Sequence, residues 1–157
     1  MLVPALLYKE ELTHKFTEQL YTQDYFYYNG YPCGTSLPII KENDQTYHYV
    51  ILNQFKEIIG YFSYQIYPLT DSVCNFGLYS FDKGNPIVGL SVIRKLNELL
   101  KYHYRLEWRV ISSNPIKRHY DKFCKQHNGY ISHLHDCTKD EQGNYQDEYI
   151  YEIIRKD

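Results

Sequence analysis

The sequence predicts an α/β domain built on a mixed, mostly antiparallel sheet with helices on both faces. Residues 46–81 hold three runs rich in β-branched and aromatic side chains, separated by short turns. From residue 85 the apolar period changes to that of a helix, and strand-like and helix-like segments then alternate. A strand–helix–strand unit normally makes a right-handed parallel crossover. An antiparallel first half joined to such a second half gives a mixed sheet.

In chain order, residues 2–8 read as a short strand. "KEELTHKFTEQLYTQ", 9–23, reads as a helix because Leu12, Phe16 and Leu20 are spaced by four. Residues 24–45 read as irregular. "YFYYNGYPCGTSLP" mixes glycine, proline and aromatics, and so long a connection reads equally as a binding loop or as a tyrosine-rich loop packed on the core. Strands follow at 46–53, 57–68 and 72–81, the first two joined as a hairpin. The third alternates poorly, which suits a strand covered on both faces. Residues 85–104 open with Asn-Pro and place positions 89, 92, 93, 96, 99, 100 and 103 on one helix face. "RLEWRVIS", 105–112, is a strand.

The segment "SSNPIKRHYDKFCKQHNGY", 112–130, is a punctuated helix. Asn114 caps it and Pro115 suits its first turn. Ile116, Tyr120, Phe123, Cys124 and His127 form its buried stripe, and Asn128-Gly129 is a left-handed exit. Strands at 130–137 and 145–154 close the chain.

With 157 residues the chain is long enough for one domain, 1–157, with a sizeable core. Tyrosine stands out, at 19 residues. Such rings can bury their bodies and keep the hydroxyl wet. A net charge of −2 removes the main electrostatic argument for a nucleic-acid partner. Cys33, Cys74, Cys124 and Cys137 make no C-x-x-C pair, so reduced thiols and a cytoplasmic setting are expected. No apolar run reaches the ~20 residues of a membrane span.

The order of elements and three segments resemble the GNAT superfamily of N-acetyltransferases across residues 46–154. The segments are "NFGLYSFDKGNPIVGLSVIRKLNELL", "RLEWRVISSNPIKRHYDKF" and "NGYISHL…GNYQDEYIYEI". The resemblance implies a splayed central pair of parallel strands that admits coenzyme A. It implies acetyl-CoA as acyl donor and an unidentified amine, on a small molecule or a protein, as acceptor.

Carried over by position, Leu78, Tyr79, Ser80 and Phe81 would meet the pantetheine. Lys83, Gly84, Asn85, Val88 and Gly89 would meet the phosphates, and Asn114 joins the cofactor-binding set. Free N–H groups at a helix start bind anions, Gly89 would allow close approach, and Lys83 would add charge. "DKGNPIVG" keeps two glycines, but not at the spacing of the family's Arg/Gln-x-x-Gly-x-Gly/Ala loop. Tyr120 matches the family's general-acid tyrosine. The central strand lacks the glutamate that many relatives carry, which leaves Glu107 as the nearest candidate base, with a salt bridge to Arg105 or Arg109 as its plainer role. The alternative function is a GNAT-fold binding module without catalysis. "HLHDC" sets His133, His135 and Cys137 on one strand face, but without an obvious further ligand no metal site is expected.

Overall fold

The computed structural model describes residues 1–29, 37–41, 45–140 and 142–155. Its strands are β1 (Leu2–Pro4), β2 (Thr46–Leu52), β3 (Ile58–Tyr67), β4 (Ser72–Ser80), β5 (Arg105–Ile111), β6 (Tyr130–Lys139) and β7 (Tyr145–Ile154). Its helices are α1 (Lys9–Gln19), α2 (Gln23–Asn29), α3 (Pro86–Tyr102) and α4 (Lys117–Gln126). The seven strands form one sheet in the order β1-β2-β3-β4-β5-β7-β6. Only β4 and β5 run parallel, and α3 is their crossover.

Each face of the sheet carries its own core. One packs α3 and α4 through Val88, Val92, Leu96, Leu99, Tyr120 and Phe123 around Trp108 and Tyr151. The other packs α1 and α2 through Leu12, Phe16 and Tyr25 against Tyr61 and Tyr79. Tyr25, Tyr28, Tyr61 and Tyr79 thus belong to this core. Phe16 alone meets the rings of Tyr25, Tyr28, Tyr61, Tyr79 and Phe81 at centroid distances of 5.1–6.0 Å.

Four expectations change. Residues 5–8 form a 3-10 turn rather than extending the first strand. The segment read as irregular from residue 24 begins as helix α2, with Tyr25 and Phe26 buried; residues 30–36, with Cys33, and 42–44 lie outside the described residues. Asn114 does not cap α4: it accepts from Ile116 N at 3.1 Å within the preceding turn, while the N-cap is Ile116, without a side-chain bond, and α4 begins at Lys117. The inward position at the start of α3 is Val88, 5% exposed, not Gly89.

A bulge in β4 decides which side chains face which core. Gln65 pairs with Cys74 and Ser63 with Gly77, so β4 spends one more residue than β3 over the same span. Asn75 takes the left-handed conformation there, φ 53°, and donates to Gln65 Oε1 at 2.6 Å. A bulge shifts the side-chain alternation by one. Val73, Phe76 and Leu78 consequently face the α3–α4 core, while Tyr79 and Phe81 face the α1–α2 core.

α4 is anchored to the sheet by a charge. Tyr151 donates to Asp121 Oδ1 at 2.7 Å, and Lys117 pairs with Asp121 Oδ2 at 2.9 Å. Burial pulls the Asp121 carboxyl upward, but the Tyr151 hydrogen bond and Lys117 outweigh it and hold it below the ordinary 3.8. A carboxyl depressed in the folded state stabilises the fold above its unfolded value and loses that contribution as pH falls through the folded one. Urea unfolding followed from about pH 5 to about pH 2.5 will show a smaller loss of midpoint in Asp121→Asn than in the parent chain. Equal losses would mean that Asp121 adds nothing to acid sensitivity.

Candidate active site

The ladder at the centre of the sheet is short. β4 and β5 pair only at Ser72–Arg105 and Val73–Leu106, yet β4 runs on to Ser80 and β5 to Ile111. Beyond Val73 the two strands diverge, and α3 departs and α4 arrives at the wide end.

The β4 edge that faces this opening can be read from its other edge. Phe81 N donates to Ile59 O at 2.9 Å, and the carbonyl oxygen of Tyr79 lies against Gly60. In an antiparallel ladder alternate residues point both backbone groups the same way. Tyr79 and Phe81 thus turn toward β3, while Leu78 and Ser80 turn their N–H and C=O groups toward β5, where the ladder has stopped. The four positions expected to act together divide into two pairs. Unpaired backbone donors along an interior strand are costly unless something takes them up.

The base of the opening is aromatic. Phe76 stacks on Trp108 at 5.6 Å and 16°, and Trp108 stacks on Tyr151 at 5.1 Å and 7°. Trp108 is 2% exposed and its Nε1 has no hydrogen-bond partner among the described residues. Sequence reasoning missed Trp108, although it is the chain's only tryptophan. Tyr120 meets the same stack edge-on, 5.6 Å from Trp108 and 5.9 Å from Tyr151. Burial alone pushes its phenol well above the ordinary 10. Tyr120 therefore keeps its proton throughout the neutral range, as a proton donor must.

Glu107 lies on the opposite face of β5. Its carboxylate meets Arg105 at 2.6 Å, and Arg105 also meets Glu152 at 3.2 Å. Arg109 pairs with Glu148 at 3.3 Å. Glu107 is near Cys74 across the base of the opening; burial pushes that thiol up, and the charge of Glu107 adds to it.

The same face carries a second polar group of residues. Ser63 is buried among aromatics, and Tyr61 shares a 2.6 Å hydrogen bond with His48 Nδ1. Burial pushes the Tyr61 phenol up to about 12, against hydrogen bonds with Ser63 and Tyr28. The chain His48–Tyr61–Tyr28 ends beside β4, since a Cβ on Gly77 would stand 3.0 Å from the Tyr28 ring and 2.6 Å from Ser63 Oγ. No sequence spacing announces this chain, because its members come from β2, β3 and α2.

The loop after β4 is tightly self-bonded. Asn85 caps α3 by accepting from Ile87 N at 2.9 Å and donates to Asp82 at 2.7 Å. Pro86 has no N–H, and Val88 N points to Asn85 O at 3.3 Å. Lys83 pairs with Asp24 of α2 at 2.6 Å. Gly84 holds φ 79°, which glycine alone adopts freely. A Cβ on Gly89 would meet nothing within 4 Å, so this glycine borders open space rather than a close neighbour.

No family model matches the sequence, and no curated protein matches it. Solved structures do. The protein smu.2055 of Streptococcus mutans UA159 superposes with a TM-score of 0.68 over 99% of both chains at 20% identity. An N-acetyltransferase of Staphylococcus aureus Mu50 gives 0.68 over 99% of this chain and 98% of its own, at 16% identity. The spermidine N-acetyltransferase of Vibrio cholerae, solved with CoA and spermine, gives 0.67 over 99% and 95%, at 15% identity.

The chain has the GNAT fold. In this GNAT fold the β4–β5 ladder ends early, α3 is the crossover and α4 follows β5, and the expected central parallel pair is observed. Among the described residues no helix is long and apolar enough to cross a membrane.

Proposed function

We propose that the protein is an acyl-CoA-dependent N-acyltransferase that moves an acyl group, in the first instance acetyl, from coenzyme A to an amine. The observation that carries this reading is the end of the β4–β5 ladder at Val73–Leu106, which leaves the backbone donors of Leu78 and Ser80 facing a gap. An extended amide-bearing chain such as pantetheine satisfies those groups as a strand would. Two of these fold relatives are named as N-acetyltransferases, and one of the two was solved with CoA and spermine, which agrees with an amine acceptor.

The residues divide the work as follows. Leu78 and Ser80 present N–H groups to the pantetheine and to the oxyanion that forms when the amine attacks the thioester carbonyl. Tyr120 gives its proton to the leaving thiolate. Gly84, Asn85, Val88 and Gly89 frame the pyrophosphate, with Lys83 exchanging Asp24 for phosphate, and Asn114 shapes the turn that presents α4. Removal of the amine's proton falls to the opposite face. There Glu107 is already committed to Arg105, so the His48–Tyr61–Tyr28 chain is the better-placed acceptor. A cytoplasmic setting, where thiols stay reduced, agrees with the free Cys74, Cys124 and Cys137.

A second reading, a GNAT-fold binding module without catalysis, is favoured by the closed first turn of α3, where Asn85 and Pro86 leave little for a phosphate. Calorimetric titration with acetyl-CoA separates the two. Binding at micromolar concentrations is expected, and Gly89→Glu will weaken it about tenfold, the ~1.4 kcal/mol that two like charges exchange at a partly exposed site. Gly89 borders open space, so this variant folds normally. No binding up to millimolar acetyl-CoA would sink the enzyme reading, while unchanged affinity in Gly89→Glu would move the phosphate site elsewhere.

A further inference from the structure

The "HLHDC" segment acquires a third ligand in the fold. His133 and His135 share a face of β6, and β7 brings Asp147 beneath them. His133 Nε2 is 2.7 Å from Asp147 Oδ2, and His135 Nδ1 is 3.7 Å from the same oxygen. One ligand atom from each residue lies within 4.8 Å of the other two. In a tetrahedral site with bonds of about 2.0–2.1 Å, ligand atoms stand roughly 3.4 Å apart. Side-chain rotation alone closes that difference.

The group is also held in place. A second bulge, between Leu134 and Thr138 of β6, puts Asp136 at φ 53° and directs its N–H to Asp147 Oδ1 at 3.0 Å. One carboxylate oxygen is thereby fixed by backbone and the other turned to the imidazoles. His133 lies flat on Tyr149, 4.5 Å and 6° apart, and Lys117 caps the far side of the region at 3.9 Å from the Tyr149 ring. The bulge also removes Cys137 from the cluster. Its thiol turns to His135 O at 3.6 Å instead.

The geometry points to a binding site for a divalent transition metal, held by His133, His135 and Asp147. Two neutral imidazoles and one carboxylate suit zinc, cobalt, nickel or copper rather than magnesium or calcium, which want oxygen. The ion takes the place of the proton that His133 and Asp147 share. Coordination positions remain open to water, because His135 is about three-quarters exposed. The site adjoins the turn that leads to Tyr120: Ser112 N donates to Asp147 O at 2.8 Å, and Ser112 is the residue after β5. A metal there staples β6 to β7 at Asp147, the residue whose carbonyl already holds the β5–α4 turn through Ser112 N, and this holds whether or not the protein transfers acyl groups.

The test is titration of the untagged full chain with zinc by calorimetry and with cobalt(II) by visible absorption. One equivalent of metal is expected, with cobalt d–d bands of a low-symmetry nitrogen–oxygen site. His133→Ala, His135→Ala and Asp147→Asn should each weaken binding about 10- to 100-fold or more. His135→Ala removes an exposed side chain and spares the fold, and circular dichroism verifies this for all three. Amide exchange at Ser112 should slow on zinc addition in the parent chain and not in His135→Ala. No binding below about millimolar zinc, or binding that all three variants retain, would overturn the site.

Discussion

Tyr120→Phe will lower turnover about 100-fold while leaving acetyl-CoA affinity within about threefold of the parent. The ring is a core element, wedged edge-on against Trp108 and Tyr151 at 5.6 and 5.9 Å, and phenylalanine keeps those contacts. The hydroxyl does no structural work, since only burial moves its pKa and no hydrogen bond contributes. Removing it will leave stability unchanged to within about 1 kcal/mol, because the ring contacts remain. A hundredfold loss in turnover corresponds to about 2.7 kcal/mol of transition-state stabilisation. The measurement is a steady-state comparison with any amine that proves to be an acceptor, together with urea unfolding. Full turnover in Tyr120→Phe would leave Tyr120 as core alone and make water the proton donor.

The second large effect is on the fold. Gly129→Ala will cost about 1–3 kcal/mol and can prevent folding at 37 °C. A Cβ on Gly129 would stand 2.6 Å from Cys124 Sγ, 2.6 Å from Glu152 O and 2.8 Å from Ile153 Cγ1. The first of these belongs to the α4 stripe and the other two to β7, so the side chain would push helix and sheet apart. The thiol can rotate, but the Glu152 carbonyl is backbone and cannot. The neighbouring Asn128 carries the left-handed turn, φ 53°, which assigns the two residues of the Asn-Gly pair different duties. Thermal unfolding checks the result. A midpoint within 1 °C of the parent would show that α4 shifts without loss.

The repeating elements were legible because their periods are distinct. The strands expected at 46–53, 57–68, 72–81 and 145–154 and the helix at 85–104 appear within two residues of those bounds. Leu12 and Phe16, spaced by four, are buried as that spacing requires, and so are Tyr120, Phe123 and Cys124 on the stripe of α4. What stayed hidden depends on contacts between distant segments. α2 was invisible because tyrosine and asparagine favour no helix strongly, and its order comes from Tyr25 and Tyr28 meeting Phe16 and Tyr79. The bulges at Asn75 and Asp136 leave no periodic trace, yet they decide the faces of Phe76 and Leu78 and the aim of Asp147. At the candidate site Tyr120 could be read from its position, whereas the stack beneath it, the committed state of Glu107 and the self-capping of Asn85 could not.

The two rungs at Ser72–Arg105 and Val73–Leu106 also have a mechanical meaning. The sheet is two leaves bound along a short spine, β1 to β4 on one side and β5 to β7 on the other. α3 touches both β3 and β5 and lies across the leaves like a lintel. Val88, Val92, Leu96 and Leu99 fill the space under that lintel, in one core with Trp108, Tyr120 and Tyr151, so all of them set how far the leaves stand apart. The aperture is thus a property of ordinary core packing, adjustable by a methylene at a distance.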